Sequence, residues 1–229
     1  MKLAIMQPYF MPYIGYFQTM AAVNKYVVYD DVQYIKGGWV GHNYLLIGGK
    51  KQLFSIQLKG ASPNKLFNEI EIGDNFRKLT QTLQLNYHKA PFFNEVMPVL
   101  SDIFSYEDRN LARFLWNSYR TLFDFLGIGT EIILSSSIDK DCTLKGKNKV
   151  IDICHILGAS TYINAIGGQE LYDKADFAAN GIDLFFLKAD DISYSQFGGD
   201  FEPGLSFIDV LMFNGREGST KLLSQYTLV

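Results

Sequence analysis

The chain has 229 residues, of which 48% are hydrophobic and 20% are charged, a balance that predicts a globular protein with a substantial core, built as one large domain or two small ones. Since no linker is obvious, we expect a single domain, residues 1–229. The formal net charge of −3 and the lack of any long stretch in which lysine and arginine outnumber the acids argue against a nucleic-acid-binding surface. Two cysteines without zinc spacing, no leader-like segment and no run of about 18 apolar residues predict a cytoplasmic protein that does not insert into a membrane.

The first 34 residues predict a strand, a helix and a second strand. Residues 2–6 are an apolar run typical of a buried strand, and the Gln7-Pro8 pair ends it, because proline cannot donate to a strand ladder. Residues 15–24 have helical periodicity, and residues 25–29 are β-branched and aromatic, as in strands. A strand, a helix and a strand within about 30 residues form a right-handed parallel crossover.

The rest of the chain continues this alternation. A glycine pair, Gly48-Gly49, predicts the turn of a β-hairpin insertion between residues 44–47 and 52–58, since primed turns need positive φ. The other predicted helices cover residues 75–87, 92–104, 110–126, 147–157 and 171–180, the other strands cover residues 70–72, 130–134, 161–164 and 182–188, and the last 40 residues are predicted as a loop followed by one helix. We expect an α/β fold, with a Rossmann-like parallel sheet flanked by helices and a helical section at about 75–127.

Aromatic and polar side chains crowd the loop after the first strand. The groups that would hydrogen-bond or stack on a planar or sugar ligand belong to Gln7, Tyr9, Tyr13 and Tyr16. Pro8, Pro12 and Gly15 shape the loop, and Gly15 would let a ligand approach the backbone at a helix start. Ligands of α/β sheets bind beyond the carboxyl ends of the strands, so we expect this loop to line a binding site. The alternative is that the tyrosines are core residues with surface hydroxyls.

Two acids, Asp30 and Asp31, follow the second strand. Side chains alternate along a strand, so at most one carboxylate is expected to face the site, where it would hold a ligand amine or a metal ion or act as a base. The alternative is that both cap the next turn. The residues that follow and whose groups suit a sugar ring are Gln33, Lys36, Trp39 and Asn43. An isolated tryptophan such as Trp39 is, however, more often a packing residue.

Polar runs later in the chain are weaker candidates. Ser135-Ser136-Ser137 follows a predicted strand and indicates either a phosphate-contacting turn or a helix cap. The four lysines within residues 140–149 form the densest basic patch, which is either a phosphate site or a solvated loop.

Single residues complete the candidates. Tyr87, His88 and Lys89 are predicted pocket residues, whereas His155, in an apolar helix, is predicted to be structural. Asp209 lies within an apolar run and is predicted to be a buried capping group in preference to a ligand contact. No metal-binding signature is present.

Several motifs resemble the WbqC-like protein family, bacterial proteins encoded with surface-polysaccharide (O-antigen) biosynthesis genes. The motifs that carry this resemblance, which covers nearly the whole chain, are QPYFMPYIGYF, YDDVQYIKGGW, NYHKAPFF, SSS and LSFIDVLMFNG. The family commonly has an Asn-Arg-Asn-like run after the tryptophan, where this chain has Gly41-His42-Asn43. An arginine contact with an anion would therefore be missing here, and His42 is its candidate substitute.

A second resemblance is to the nucleotidylyltransferase and pantothenate-synthetase-like superfamily. Tyr13-Ile14-Gly15-Tyr16 occupies the place of its His-x-Gly-His signature, whose histidines hold ATP phosphates. Tyrosine carries no positive charge at neutral pH, so phosphate stabilisation would come from Lys36, Lys89 or the lysines after Ser137.

Together the resemblances imply an enzyme of surface-polysaccharide assembly that acts on a nucleotide-linked amino sugar. The sharper hypothesis is ATP-dependent amide formation, in which an amino acid such as glycine, or another small carboxylate, is joined to the sugar amine. The alternatives are a non-catalytic sugar-nucleotide-binding or scaffold protein and a nucleotidylyltransferase.

The ligase hypothesis assigns roles to the candidate residues. Gln7 would hold the carboxylate, Tyr13 and Tyr16 the nucleotide, and Asp30 or Asp31 the attacking amine. The phosphate charge would be met by Lys36 or Lys89, with His88 as a further catalytic candidate. ATP would be a cosubstrate, no tightly bound cofactor or protein metal site is expected, and the hypothesis is compatible with Mg²⁺ and with a homo-oligomer.

Overall fold

A computed structural model describes all residues 1–229. Alternating strands and helices run through the whole chain, with a predominantly helical section in its middle. In chain order the elements are β1 (Lys2–Met6), α1 (Ile14–Ala21), β2 (Lys25–Val28), β3 (His42–Ile47), β4 (Lys50–Ser55), β5 (Leu58–Lys59), β6 (Glu71–Ile72), α2 (Phe76–Tyr87), α3 (Phe93–Ser105), α4 (Leu111–Leu126), β7 (Glu131–Leu134), α5 (Gly146–Ile156), β8 (Thr161–Ala165), α6 (Lys174–Ala178), β9 (Asp183–Ala189), α7 (Phe207–Leu223) and β10 (Tyr226–Leu228).

A six-stranded sheet forms the centre, with the strand order β10-β9-β8-β1-β2-β7. All neighbours pair in parallel except β10, which runs antiparallel to β9. Strands β1, β2 and β7 extend the sheet in one direction, and β8 and β9 extend it in the other, so the order reverses beside β1. This is the strand order of a doubly wound sheet, whose ligands bind at the carboxyl ends of the strands. The predicted Rossmann-like α/β fold is confirmed.

Side chains on the two faces of the sheet enter two separate cores. On β1, Leu3 and Ile5 belong to a cluster of 13 buried residues with α5 and α6, whereas Ala4 belongs to a cluster of 45 buried residues. This alternation is the period of two that a strand imposes. Helices therefore cover both faces.

The helical section packs in the larger core together with the sheet. Helix α4 begins where the Asn110 side chain accepts a hydrogen bond from the Arg113 backbone N–H, and it ends at Gly127 with φ of 71°, the left-handed conformation that favours glycine. Buried residues of α2, α3 and α4 share one cluster with β1, α1 and α7. The section at about 75–127 has no core of its own.

The hairpin insertion is confirmed as β3 and β4, which pair antiparallel from His42 opposite Ser55 to Ile47 opposite Lys50. Gly48 and Gly49 have φ of 58° and 75°, as the predicted primed turn requires.

Two predictions at the C-terminal end need correction. The prediction of one final helix missed β10, which pairs with Leu187–Ala189 of β9 after α7 ends. The helix predicted at 171–180 is shorter, because the Asp173 side chain accepts a hydrogen bond from the Ala175 N–H and starts α6 only at Lys174. No helix of the structure is both long and apolar enough to cross a membrane.

Phe10 joins the loop after β1 to the larger core. Its ring lies 5.9 to 6.3 Å, between ring centroids, from four other phenylalanines, and the residue is fully buried. We expect Phe10→Ala to lower the free energy of unfolding by about 3–5 kcal/mol, since it opens a cavity in a packed cluster.

Urea denaturation measures this change. The control Leu85→Ala removes a side chain that is 76% exposed on α2 and should change stability by less than about 0.5 kcal/mol. Equal effects of the two substitutions would contradict the anchoring role of Phe10.

Candidate ligand-binding site

The loop from Gln7 to Tyr13 is held to the protein by its backbone. Phe10 N–H donates to the Val40 carbonyl at 2.7 Å, and Phe207 N–H donates to the Pro12 carbonyl at 2.9 Å. The carbonyl of Met11 accepts hydrogen bonds from Asn43 Nδ2 at 2.9 Å and from Ser206 Oγ at 2.7 Å. Met11 has a positive φ of 45°, a strained conformation that these contacts maintain. The loop is therefore a fixed part of the structure.

Buried tyrosines fix the start of this loop. The hydroxyl of Tyr119 accepts from Tyr9 N–H at 2.7 Å and donates to the Tyr9 carbonyl at 2.6 Å. Tyr16 donates to the Gln7 carbonyl at 2.8 Å, and Tyr26 donates to the Tyr16 hydroxyl. Burial raises the pKa of Tyr16, Tyr26 and Tyr119 well above the ordinary value, so all three are neutral hydrogen-bonding groups.

The outward side of the loop lines a cavity of about 340 Å³, here called the aromatic cavity. The lining residues are Tyr9, Pro12, Tyr13, Trp39, Asn43, Tyr44, Lys51 and Gly204. Its volume lies within the range of small-molecule sites, about 300–1,000 Å³. Gly15 leaves space for the Tyr13 ring, which forms part of the cavity wall, because a Cβ at position 15 would lie 2.5 Å from that ring.

The segment 190–206 contributes Gly204 to the cavity wall, and the buried carboxylate of Asp209 holds this segment. Asp209 Oδ1 accepts from the Tyr194 hydroxyl at 2.7 Å and from Gln196 Nε2 at 2.8 Å, and Oδ2 accepts from the Tyr87 hydroxyl at 2.8 Å. Tyr87 in turn accepts from Leu46 N–H at 2.8 Å. Asp209 therefore links α2, the hairpin and the segment 190–206. It is buried, as predicted, but it binds side chains, whereas Ser206 caps α7.

A second cavity, of about 480 Å³ and here called the lysine cavity, lies beyond β2. Its lining residues are Tyr29, Asp31, Val32, Gln33, Leu66, Cys142, Leu144, Lys145, Gly146 and Lys149. Since β1, β2 and β7 are parallel, their carboxyl ends share one edge of the sheet, and both cavities lie on that edge.

The two acids after β2 have different partners. Asp30 is buried and accepts hydrogen bonds from Ser136 N–H at 2.9 Å and Ser136 Oγ at 2.6 Å. Burial raises the Asp30 pKa, although the Ser136 hydrogen bonds oppose that shift. The serine run forms a short 3₁₀ turn after β7, where it holds Asp30.

Asp31 pairs with Lys140 at 2.8 Å and with Lys149 at 3.1 Å. Burial alone would raise its pKa, but the ion pairs with Lys140 and Lys149 outweigh burial and hold the Asp31 pKa below the ordinary value. Of the two acids only Asp31 lines a cavity, as the alternation of side chains along a strand leads one to expect.

The predicted site residues fall into two groups. Those that line a cavity are Tyr9, Tyr13, Trp39 and Asn43 in the aromatic cavity and Asp31 and Gln33 in the lysine cavity. Those that line neither are Gln7, Pro8, Gly15, Tyr16, Asp30, Lys36, His42, Tyr87, His88, Lys89, Ser135, Ser136 and Ser137.

Residues of the second group have identifiable positions. Tyr16 and Tyr87 are buried in the core, where their hydroxyls bind other protein groups, which corrects the expectation that they contact a ligand. The ring of His42 packs 4.9 Å from that of Trp39. Lys36, in the loop before Trp39, and His88 with Lys89, after α2, are exposed. The structure does not bring these three to either cavity.

Sequence reasoning missed several lining residues. Tyr44 and Lys51 lie on the hairpin, and Gly204 comes from a segment about 150 residues away in the chain. The sequence predicts a basic patch at residues 140–149. It does not show that Lys140 and Lys149 form ion pairs with Asp31, or that Lys145 lies on the cavity wall without such a pair. The signal for Lys51 was present in the hairpin pattern, which places its side chain near the ring of Tyr44.

The fold and the cavities define the class: an α/β protein with a doubly wound sheet and ligand-sized cavities at its carboxyl edge. Residues 7–221 match the model of the WbqC-like protein family, and the chain belongs to that family. It is also similar to the uncharacterized protein Rv1507c of Mycobacterium tuberculosis, with 28% identity over 221 residues that cover 94% of this chain and 95% of that protein. No solved structure matches the chain.

Asp209 makes the stability of this site depend on pH. Burial raises the Asp209 pKa, although hydrogen bonds from Tyr194, Tyr87 and Gln196 oppose the shift. The folded state thus holds this proton more tightly than the unfolded state. The Asp209 contribution favours folding most below the ordinary carboxyl pKa of about 3.9 and is lost as pH rises towards the folded-state pKa.

We therefore expect the free energy of unfolding of the wild type, minus that of Asp209→Asn, to decrease as pH rises from about 4 to 7. Urea denaturation across this range measures the difference. The exposed Asp102→Asn on α3 should keep the pH dependence of the wild type. A difference that does not change with pH for Asp209→Asn would contradict the assignment.

Proposed function

We propose that this protein is an enzyme of bacterial surface-polysaccharide assembly that forms an amide on the amine of a nucleotide-linked sugar, in the cytoplasm. The supporting observation is the pair of cavities on one edge of the sheet, one walled by aromatic rings and one by lysines. A nucleotide sugar has uncharged rings joined by a diphosphate, and these two kinds of surface match its two kinds of group.

The lysine cavity is the proposed phosphate site. Lys145 is exposed at its wall and makes no ion pair, whereas Lys149 is nearly buried and also donates to the Asp31 carbonyl at 3.0 Å. The cavity carries Lys145, Lys149 and the single acid Asp31, so its charge favours an anion. Of the candidates for this role, which were Lys36, Lys89 and the lysines after Ser137, we keep the last group.

The proposed chemistry joins a carboxylate to an amine at the expense of ATP. The carboxylate attacks the α-phosphorus of ATP, the bond to the β-phosphate breaks, and an acyl-adenylate and pyrophosphate form. The sugar amine then attacks the acyl carbon, AMP leaves and the amine loses a proton. The protein holds the reactants together in a site with little water.

Asp30 and Asp31 have structural roles in this proposal. Because Ser136 holds Asp30 and two lysines hold Asp31, neither carboxylate is free to bind an amine or Mg²⁺. The residues present do not fit a protein-held Mg²⁺ ion, and no step is assigned to one.

Mass spectrometry tests the reaction. The protein is incubated with ATP, glycine and a dTDP-linked 4-amino sugar, and we expect AMP and pyrophosphate together with a sugar nucleotide heavier by one acyl group. If neither AMP nor a heavier sugar nucleotide is formed, the ligase proposal fails, and ADP formed with the heavier sugar would replace the acyl-adenylate by an acyl phosphate. Pyrophosphate release from ATP and a sugar phosphate, with glycine and the amino sugar left out, would instead support nucleotidylyl transfer.

A matched pair of variants tests the phosphate site in the same assay. Lys145→Ala should raise KM for the nucleotide-linked sugar about tenfold, because it removes one charge-assisted hydrogen bond to the diphosphate. Lys78→Ala removes an exposed lysine from α2 and should leave KM unchanged. Equal KM values for the two variants would exclude Lys145 from the site.

One observation favours a second candidate, a non-catalytic sugar-nucleotide-binding protein: the carboxylates nearest the lysine cavity are already satisfied. Thermal shift separates the two candidates. A ligand at a hundredfold excess over Kd stabilises the protein by about 2.7 kcal/mol. Synergy between a nucleotide and an amino acid would support the ligase, and a shift with the nucleotide sugar alone would support the binding protein.

A further inference from the structure

The aromatic cavity has rigid walls with unused polar groups. The Tyr13 and Tyr44 hydroxyls and the Trp39 indole N–H lie on lining residues and make no hydrogen bond within the protein, while Tyr9 makes one long contact of 3.5 Å with Gln7. The backbone under Tyr9 and Pro12 is fixed by Tyr119 and Phe207. Such walls pair apolar faces with hydrogen-bonding edges.

The charge of the cavity restricts what it binds. No acid lines it, and its one charged residue, Lys51, donates to the Pro203 carbonyl at 2.8 Å and lies 4.9 Å from the centre of the Tyr44 ring. Aromatic walls alone would also suit a cation. An ammonium at the Lys51 end would be repelled by that side chain, so the charge favours an uncharged ligand group.

The arrangement of the rings favours a saturated ring over a flat base. The rings of Trp39 and Tyr44 are 5.6 Å apart and tilted by 54°, so they cannot both lie flat against one plane. A nucleobase gains most between parallel faces. A pyranose presents C–H groups on its faces and hydroxyls around its edge, which suits tilted aromatic walls with free phenol and indole groups.

We infer that the aromatic cavity binds the pyranose ring of the nucleotide-linked amino sugar, an inference that rests on the proposed function for its ligand class. Trp39 and Tyr13 then cover the sugar, and Lys51, on the same cavity wall, would be the cation nearest the bound amine. Removal from water and the neighbouring ammonium both favour the neutral amine, the form that attacks an acyl group.

Trp39 is a natural reporter of occupancy. The chain has two tryptophans; Trp116 lies on α4, donates to the Ile132 carbonyl at 2.8 Å and lines neither cavity. In the Trp116→Phe variant all tryptophan fluorescence comes from Trp39. This variant is titrated with a dTDP-linked 4-amino sugar, with UDP- and GDP-linked sugars and with the corresponding nucleotides.

We expect a saturable fluorescence change with at least one sugar nucleotide and none with its nucleotide alone. An equal change with the nucleotide alone would place the base in the cavity and overturn the inference. No change with any sugar nucleotide would also overturn it.

Substitutions in the cavity wall give a second measurement. By calorimetry, Trp39→Ala and Tyr13→Ala should each weaken binding of that sugar nucleotide about tenfold and leave the Kd of the nucleotide alone unchanged. Leu85→Ala removes an exposed apolar side chain from α2, away from both cavities, and should change neither value. Equal weakening of nucleotide and sugar nucleotide would contradict a sugar subsite.

The outcomes separate this inference from the proposed function. A sugar-dependent Trp39 signal without amide product keeps the subsite and rejects the ligase. Product formation without that signal keeps the ligase and rejects the subsite.

Discussion

The two hydrogen bonds between the Tyr119 hydroxyl and the backbone of Tyr9 are the constraint on which the site depends. They tie the residue that leaves β1 to α4, a helix 110 residues further along the chain. The Tyr119 hydroxyl satisfies both the donor and the acceptor of one residue, so neither backbone group of Tyr9 is left unpaired where the loop leaves the strand. The backbone hydrogen bonds of Phe10, Met11 and Pro12 then hold the rest of the loop.

The same short segment builds both core and cavity. Phe10 and Met11 point into the larger core, whereas Tyr9 and Tyr13 line the aromatic cavity. Because neighbouring residues of one segment serve the core and the cavity wall, the positions of the cavity-lining side chains are set by core packing and would need little further adjustment when a ligand arrives. The strained φ of Met11 is stabilised by the contacts with Asn43 and Ser206.

The sequence predicts the fold well because its signals are local. A glycine follows a helix and precedes a strand at Gly127, Gly158 and Gly181, and each of these glycines has positive φ. What it does not predict depends on distant contacts. Gly204 and Lys51 are brought together at the cavity wall where Lys51 donates to the carbonyl of Pro203, and β10 forms by pairing with the edge of β9. Tyr16 looked like a ligand contact because its phenol is polar; only the packing of Tyr26 and Tyr119 around it shows that its hydroxyl is already used.

The ion pairs at the lysine cavity keep its buried lysines paired while no anion is bound. Lys140 has 1% and Lys149 8% of its side chain exposed, and both share the single carboxylate of Asp31. A buried cation needs a partner, and Asp31 provides one in the absence of ligand. Lys149 is nonetheless at the cavity wall, so a bound phosphate would share it with Asp31, while Lys145 has no competing acid. A site organised in this way would bind an anion without leaving buried charge unpaired after release, which suits a ligand that must come and go.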